Sequence, residues 1–420
     1  MGSKTSKTKH PTPVETKMVT TPRVPQEIVD EILDYLGADS DFGPLQSCAL
    51  VSKPWVPSCQ RHLFHTITFT SRDMVRWLKT FPVPEESPAH HVRELRVWIG
   101  GYSRVPEKFF NNTPWFTNVE RMILLGHGGP PPTRTPSLWR LPQSVTSLTI
   151  NTSAVTLVQI RDIMAQIPNL DDLSLSGYLI PEDGRVLEGI GMALRGRFGG
   201  KLLLRNECAD RNVMNMLLEV TSGLRFTRVH IRCTNECLPT TVRLVEACSK
   251  TIVKLSYMVT FHGKSHPLLL LVQLFLVHEI PTLTLPSNIG AIGAFERSFD
   301  FSKFPNLQEV KFGFRSGWTG GGLLWIPMAL STLRPATSPR LSAIRLDFAR
   351  SPIVHRPLEI LIQDTSNDLR WVADEVTRIE REFGRSVDLT VRRDPGFEMV
   401  LRTLNVRFYF CGVDGAPAPC

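Results

Sequence analysis

The sequence predicts an α/β chain in two parts: a small three-helix module near the N-terminus, then a curved solenoid in which short parallel strands alternate with helices. Three observations predict it. Residues 23–65 hold three brief amphipathic segments, a six-residue apolar pattern then recurs at a nearly constant step, and helical stretches with one apolar side fill several of the gaps.

The first element is RVPQEIVDEILDYLG at 23–37, which reads as one short helix. Pro25 suits the first turn, where a missing N–H costs nothing, and Gly37 suits the left-handed residue that closes a helix. Ile28, Ile32 and the Tyr35/Leu36 pair fall at helical spacing as an apolar stripe, with Glu27, Asp30, Glu31 and Asp34 elsewhere. In GPLQSCALVSKPW, Leu45, Cys48, Ala49 and Val51 give a second brief apolar face. A third helix is expected from near Pro54 through Trp55, Cys59 and Leu63, with Pro57 tolerable only in its first turn. Three helices in about 40 residues bury little surface by themselves, so the module is expected to dock, on a partner or on its own chain.

The repeated pattern is apolar-x-x-apolar-x-apolar. It occurs as FHTITF (64–69), VRELRV (92–97), VERMIL (119–124), VTSLTI (145–150), LDDLSL (170–175), FTRVHI (226–231), IVKLSY (252–257), IPTLTL (280–285), LQEVKF (307–312) and LSAIRL (341–346). The fourth residue of each copy advances by 25 to 28 positions, except for one step of 56, with GGKLLL (199–204) as a worn copy inside it, and a last step of 34. Helices are expected at 156–167, 210–220, 240–250 and 366–384, the last with a stripe of Leu369, Val372, Val376, Ile379 and Phe383 and with Gly384 as its end. VDLTVRR (387–393) reads as a capping strand. The expected boundaries are a basic disordered tail at 1–22, the module at 23–65, the solenoid at 66–400 and a C-terminal tail at 401–420.

Composition narrows the function classes. With 42% hydrophobic and 21% charged residues the chain is neither a disordered nor a membrane composition. Its longest apolar run, PLLLLVQLFLV at 267–277, falls far short of the roughly 20 residues that cross a bilayer and is expected to be a buried helix. MGSKTSKTKHPTPVETK has no apolar stretch of secretory type, so an intracellular setting is expected, cytoplasmic or nuclear, with the eight scattered cysteines reduced. A net charge of +8 admits an acidic partner without demanding nucleic acid.

Two families supply resemblances. VPQEIVDEILDYL followed by LQSCALVSKPW, within 23–65, resembles the F-box, although Val24 stands where a leucine is usual and the loop GADSDFGP is long. The resemblance implies binding to the Skp adaptor and, through it, to a cullin–RING ubiquitin ligase. On the matching positions the docking set is Val24, Pro25, Ile28, Ile32, Leu36, Leu45, Cys48, Val51 and Trp55; the alternative is an internal core that touches nothing else. The period in the high twenties resembles a degenerate leucine-rich-repeat solenoid, in which the asparagine usual after each strand is mostly missing. Together they resemble the F-box-like proteins of mushroom-forming fungi and imply a non-catalytic substrate receptor, monomeric within its complex. A leucine-rich-repeat scaffold with a vestigial F-box is the alternative.

On the expected concave face, strand residues between the apolar ones include Arg96, Trp98, Arg121, Arg205, Arg228, His230, Arg232, Lys254, Lys311 and Arg345, against Glu94, Asp172, Glu309 and Asp347. The basic excess from Arg205 to Lys254 suits an acidic or phosphorylated protein segment; a plain solvated face is the alternative. No cofactor or metal is expected. His262/His266 and Cys233/Cys237 are half-motifs for zinc, HGKS at 262–265 lacks the earlier glycine of a phosphate loop, and no Gly-x-Ser-x-Gly occurs. MGSKTS fits the N-myristoylation pattern on Gly2, with Lys7, Lys9 and Lys17 as a basic second signal for a membrane; an unmodified tail is the alternative.

Overall fold

The structure is a computed structural model that describes residues 24–38, 42–98, 115–126, 141–151, 155–177, 194, 196–205, 210–220, 223–234, 237–260, 299–315, 325–349, 358–384, 388–392 and 409–411. The chain divides into two compact units, 1–65 and 66–420. Gly2, the 280–285 copy, His262, His266 and the apolar run at 267–277 lie outside the described residues.

The first unit holds α1 (Gln26–Ala38), α2 (Gly43–Val51) and α3 (Val56–Leu63), with a short 3-10 turn at Lys53–Trp55 between α2 and α3. Pro57 sits in the first turn of α3, where its lost donor has no helical partner to miss. Pro25 stands just ahead of α1, and its carbonyl accepts from Ile28 N at 3.1 Å and Val29 N at 3.3 Å. The unit has its own core. Val29, Leu33, Leu45 and Cys59 are buried, with Leu36, Cys48, Ala49, Trp55 and Leu63 packed against them. Polar bonds tie α1 to α3: Ser58 Oγ donates to Asp30 Oδ1 at 2.6 Å, and His62 Nε2 lies 2.8 Å from Asp34 Oδ1.

Beside the expected Ile28 and Ile32, which stay at the surface, α1 turns Val29, Leu33 and Leu36 inward. One expectation for this helix is corrected. Gly37 is not a left-handed terminator: it lies inside the helix and is absent from the positive-φ glycines. What it supplies is room, since a Cβ there would collide with the His62 imidazole.

The second unit is an α/β arrangement built on one parallel sheet. Its strands are β1 (Thr66–Phe69), β2 (Glu94–Trp98), β3 (Arg121–Leu125), β4 (Ser147–Asn151), β5 (Asn169–Ser176), β6 (Arg197–Leu204), β7 (Leu224–Thr234), β8 (Lys254–Thr260), β9 (Glu309–Arg315), β10 (Ala343–Ala349), β11 (Asp388–Arg392) and β12 (Tyr409–Cys411). They pair in chain order, so each unit contacts chiefly its neighbours, as in a solenoid.

Register follows the repeat. Ile67, Leu95, Met122, Leu148, Leu173, Leu202, Val229, Leu255, Val310, Ile344 and Leu389 are successive Cα partners across the sheet. From Leu95 to Ile344 this row is buried, as is the row two residues on from Val97 through Leu124, Ile150, Leu175, Leu204, Ile231 and Tyr257 to Phe312. Each such side chain contributes about 1.5–3 kcal/mol by leaving water. β8 pairs directly with β9, so the row passes from Leu255 to Val310 without a copy between them. β12 lies in the stretch expected to be a tail and continues the sheet instead.

Helices fill the intervals: α4 (Ser71–Thr80), α5 (Leu157–Met164), α6 (Arg211–Leu218), α7 (Leu238–Ala247), α8 (Trp325–Ser331) and α9 (Leu358–Phe383). Capping boxes start two of them, with Thr70 and Asp73 on α4 and Thr156 and Gln159 on α5 satisfying backbone donors reciprocally. α9 begins eight residues before the expected 366. It buries Val372, Ala373, Val376 and Ile379, and Gly384 follows it with φ +62°. Arg378 of α9 donates to the Leu330 carbonyl at 3.1 Å, occupying an acceptor at the end of α8. Among the described residues no helix is long and apolar enough to cross a membrane.

Candidate functional site

Two surfaces carry the functional argument, one on each unit. On the first unit, α1 has more apolar residues than its core can take. Val29, Leu33 and Leu36 turn inward, while Val24, Ile28, Ile32 and Tyr35 are between 47% and 82% exposed. At the end of α2, Leu50 and Val51 are 89% and 71% exposed.

The expected docking set therefore splits. Val24, Pro25, Ile28, Ile32 and Val51 are on the surface, Leu36, Cys48 and Trp55 are half-buried against the core, and Leu45 is fully buried. Leu45 is withdrawn as a docking residue, because a side chain with no exposed surface has none to offer. Tyr35 and Leu50 are the exposed residues that the set omitted. Asp30 and Asp34, on the same helix, are committed to α3. The Ser58 hydroxyl lowers the Asp30 carboxyl, and the His62 hydrogen bond lowers that of Asp34.

On the second unit, residues alternating with the buried rows form a sheet face whose charges sort by position. Near the start of the sheet, Glu94 is almost buried and holds two arginines: Arg96 Nη2 at 2.6 Å and Arg121 Nε at 3.1 Å. Trp98, half-buried on β2, lies in this same region. Arg96, Trp98 and Arg121 are thus on β2 and β3, apart from the other expected residues, and both arginines are already engaged.

Further along, Lys201, Arg228 and Lys254 are Cα partners on β6, β7 and β8, and His230, Ser256 and Lys311 are partners on β7, β8 and β9. His230 Nδ1 lies 2.8 Å from Ser256 Oγ. Its imidazole is pushed down to about 4, first by burial and then by Arg205, Lys311, Lys201 and Arg232 around it. Among the described residues Lys201, Arg205 and Arg228 have no ion-pair partner. Glu309 takes up the next cations, with Lys254 Nζ at 2.8 Å and Arg345 Nε at 2.7 Å. Lys201, Arg205 and Arg228 lie on β6, at its end and on β7.

The structure thus brings together Arg205, Arg228, His230, Arg232 and Lys254 and adds Lys201 to them. Lys201 belongs to the worn copy GGKLLL, and its signal was its place before Leu202, equivalent to Arg228 before Val229. The register shifts between Gly200 and Lys201, where Gly200 has φ +61° and a Cβ would strike the Asp171 carbonyl. Such a bulge re-aims the residues after it.

Cys233 is packed beside Tyr257 and Thr241, and burial pushes its thiol up to about 11, away from thiolate chemistry. Among the described residues no group of three or more His, Cys, Asp or Glu side chains is placed to hold a metal ion. The chain matches no protein-family model and no curated protein.

Proposed function

We propose that the chain is the substrate-receptor subunit of a Skp–cullin–F-box ubiquitin ligase. In this reading residues 23–65 are an F-box that docks on the Skp adaptor, and the parallel sheet of 66–420 is a degenerate leucine-rich-repeat solenoid whose face takes the substrate. One observation carries it: α1 has two apolar stripes, one spent on the unit's own core and one, Ile28, Ile32 and Tyr35 with Val24 just ahead of the helix, left in water. Exposed apolar area costs about 25 cal/mol per Å² relative to burial, so this stripe, with Leu50 and Val51 also exposed at the end of α2, supports a docking surface. The resemblance of VPQEIVDEILDYL and LQSCALVSKPW to the F-box names the partner. The chain's part in ubiquitin transfer is then proximity, raising the effective concentration of substrate lysines at the conjugating enzyme.

The test is capture of purified Skp adaptor and cullin by the full chain. Wild type should retain both, and Ile28→Asp with Ile32→Asp should weaken capture at least a hundredfold at unchanged circular dichroism. Retention of Skp without cullin supports a scaffold outside any ligase, and retention of neither refutes the F-box assignment.

A further inference from the structure

Three rows of side chains cross the sheet face at β6–β9. Lys201, Arg228 and Lys254 form one, His230, Ser256 and Lys311 the next, and Arg232, Met258 and Gly313 the third, with Arg205 immediately after Leu204 at the end of β6. The rows are about 6.6 Å apart along the strands, and neighbouring strands are about 4.8 Å apart. Six basic side chains and His230 therefore share a patch on the order of 15 Å across.

Its limits say what fits. On the β5 side Asp172 adjoins Lys201, accepting from the Lys201 backbone at 3.0 Å, and on the β10 side Glu309 neutralises Lys254 and Arg345. A nucleic acid or a membrane surface rewards a long, continuous positive stripe; this patch closes at both ends. Three of the cations are arginines, whose planar fork makes paired hydrogen bonds to phosphate oxygens. Beside them Met258 lies across Gly313, where a Cβ would come within 2.8 Å of its terminal methyl carbon. That thioether is a deformable apolar foothold next to the charge, which suits a peptide side chain flanking an anionic group.

We propose that this face binds a phosphoserine- or phosphothreonine-containing segment of a partner protein, with Arg228, Arg205 and Lys201 on the phosphate and Met258 under the neighbouring residue. It deepens the receptor reading and rests on it for the role of that partner as substrate. A phosphomonoester brings about −1.5 to −2 charges to cations that have no ion-pair partner among the described residues at Lys201, Arg205 and Arg228.

The experiment uses the full chain on an immobilised peptide library with one fixed phosphoserine or phosphothreonine, and on the same library after phosphatase treatment. Retention should occur on the phosphorylated library and fall steeply with salt. Arg228→Glu with Arg232→Glu should weaken it at least tenfold, and the milder Arg228→Gln with Arg232→Gln should weaken it less. Equal retention on both libraries overturns the proposal. So does retention that the glutamine pair leaves unchanged, which decides the matter if the glutamate pair fails to fold by thermal unfolding. Stronger binding to single-stranded RNA or to phosphatidylserine vesicles than to the phosphorylated library overturns it as well. Skp capture is measured on the same preparations. Loss of Skp capture with phosphopeptide retention intact sinks the receptor reading alone, and the reverse sinks this site alone.

Discussion

Gly37 of α1 lies against the His62 imidazole of α3, so close that a Cβ on Gly37 would overlap Nδ1 and Cγ of the ring. The ring is held there because its Nε2 meets Asp34 Oδ1 at 2.8 Å, one turn earlier on α1. A glycine inside a helix ordinarily costs about 1 kcal/mol relative to alanine, and here the cost secures the approach of α1 and α3. Gly37→Ala should therefore destabilise the first unit by about 1–3 kcal/mol of overpacking, set against the gain in helix propensity. Hydrogen exchange read by mass spectrometry should show faster exchange over 26–38 and unchanged exchange over β2–β8. Slower exchange over 26–38 would mean that propensity wins and that the contact with His62 yields freely.

The two stripes of α1 separate stability from docking. Leu33 is buried and Ile32 is 52% exposed, although they are adjacent and of equal size. Leu33→Ala should cost the unit about 2–5 kcal/mol, whereas Ile32→Ala should stay within about 0.5 kcal/mol. Exchange over 26–63 reads the first effect and adaptor capture the second. If Ile32→Ala accelerated exchange as much as Leu33→Ala, the outer stripe would belong to the fold and its docking role would fall.

A third prediction concerns the turn of register beside the cationic face. Gly200 has φ +61°, and any side chain there meets the Asp171 carbonyl. Gly200→Ala combines a left-handed penalty of about 1–2 kcal/mol with a clash against backbone that no rotamer relieves. It should lower the thermal midpoint of the second unit and weaken anion binding together, because the bulge sets where Lys201 and Arg228 face each other. Gly223→Ala is the control: it shares a positive φ of 74° but has open space around it, so it should show the backbone penalty without the loss of binding.

The sheet was legible because its signal is redundant: position 95 predicts position 122, and 122 predicts 148, through a buried row that runs to Ile344. The inner stripe of α1 was not legible in the same way. Apolar residues at 28, 29, 32, 33, 35 and 36 satisfy helical spacing on either of two faces, and only the packing of Leu45 and Cys59 selects Val29 and Leu33. Gly37 was misread for a related reason, since a helix-ending glycine and a close-approach glycine look alike until the second helix is in place. Lys201 escaped because the extra residue at the β5–β6 junction blurs the period of its copy. In each case the deciding contact is distant in sequence.

The last prediction follows from His230. Its conjugate acid sits at about 4 in the folded chain, against an ordinary 6.5, because the ring is partly buried and then because Arg205, Lys311, Lys201 and Arg232 repel a further positive charge. Above about pH 6.5 the ring is neutral in both folded and unfolded chains and contributes no pH dependence. As pH falls from 6.5 towards 4 the unfolded chain takes up a proton that the folded chain refuses, so stability is lost across that window; below it both forms are charged and the loss stops. His230→Gln, which keeps a hydrogen-bonding partner for Ser256, should flatten the fall in urea-unfolding stability between those limits. A phosphate on the face offsets the same repulsion, so the ring proton resonance of His230 should titrate at a higher pH in the presence of a bound phosphopeptide than without it. An unmoved titration on binding would place the phosphate away from His230 and its four surrounding cations.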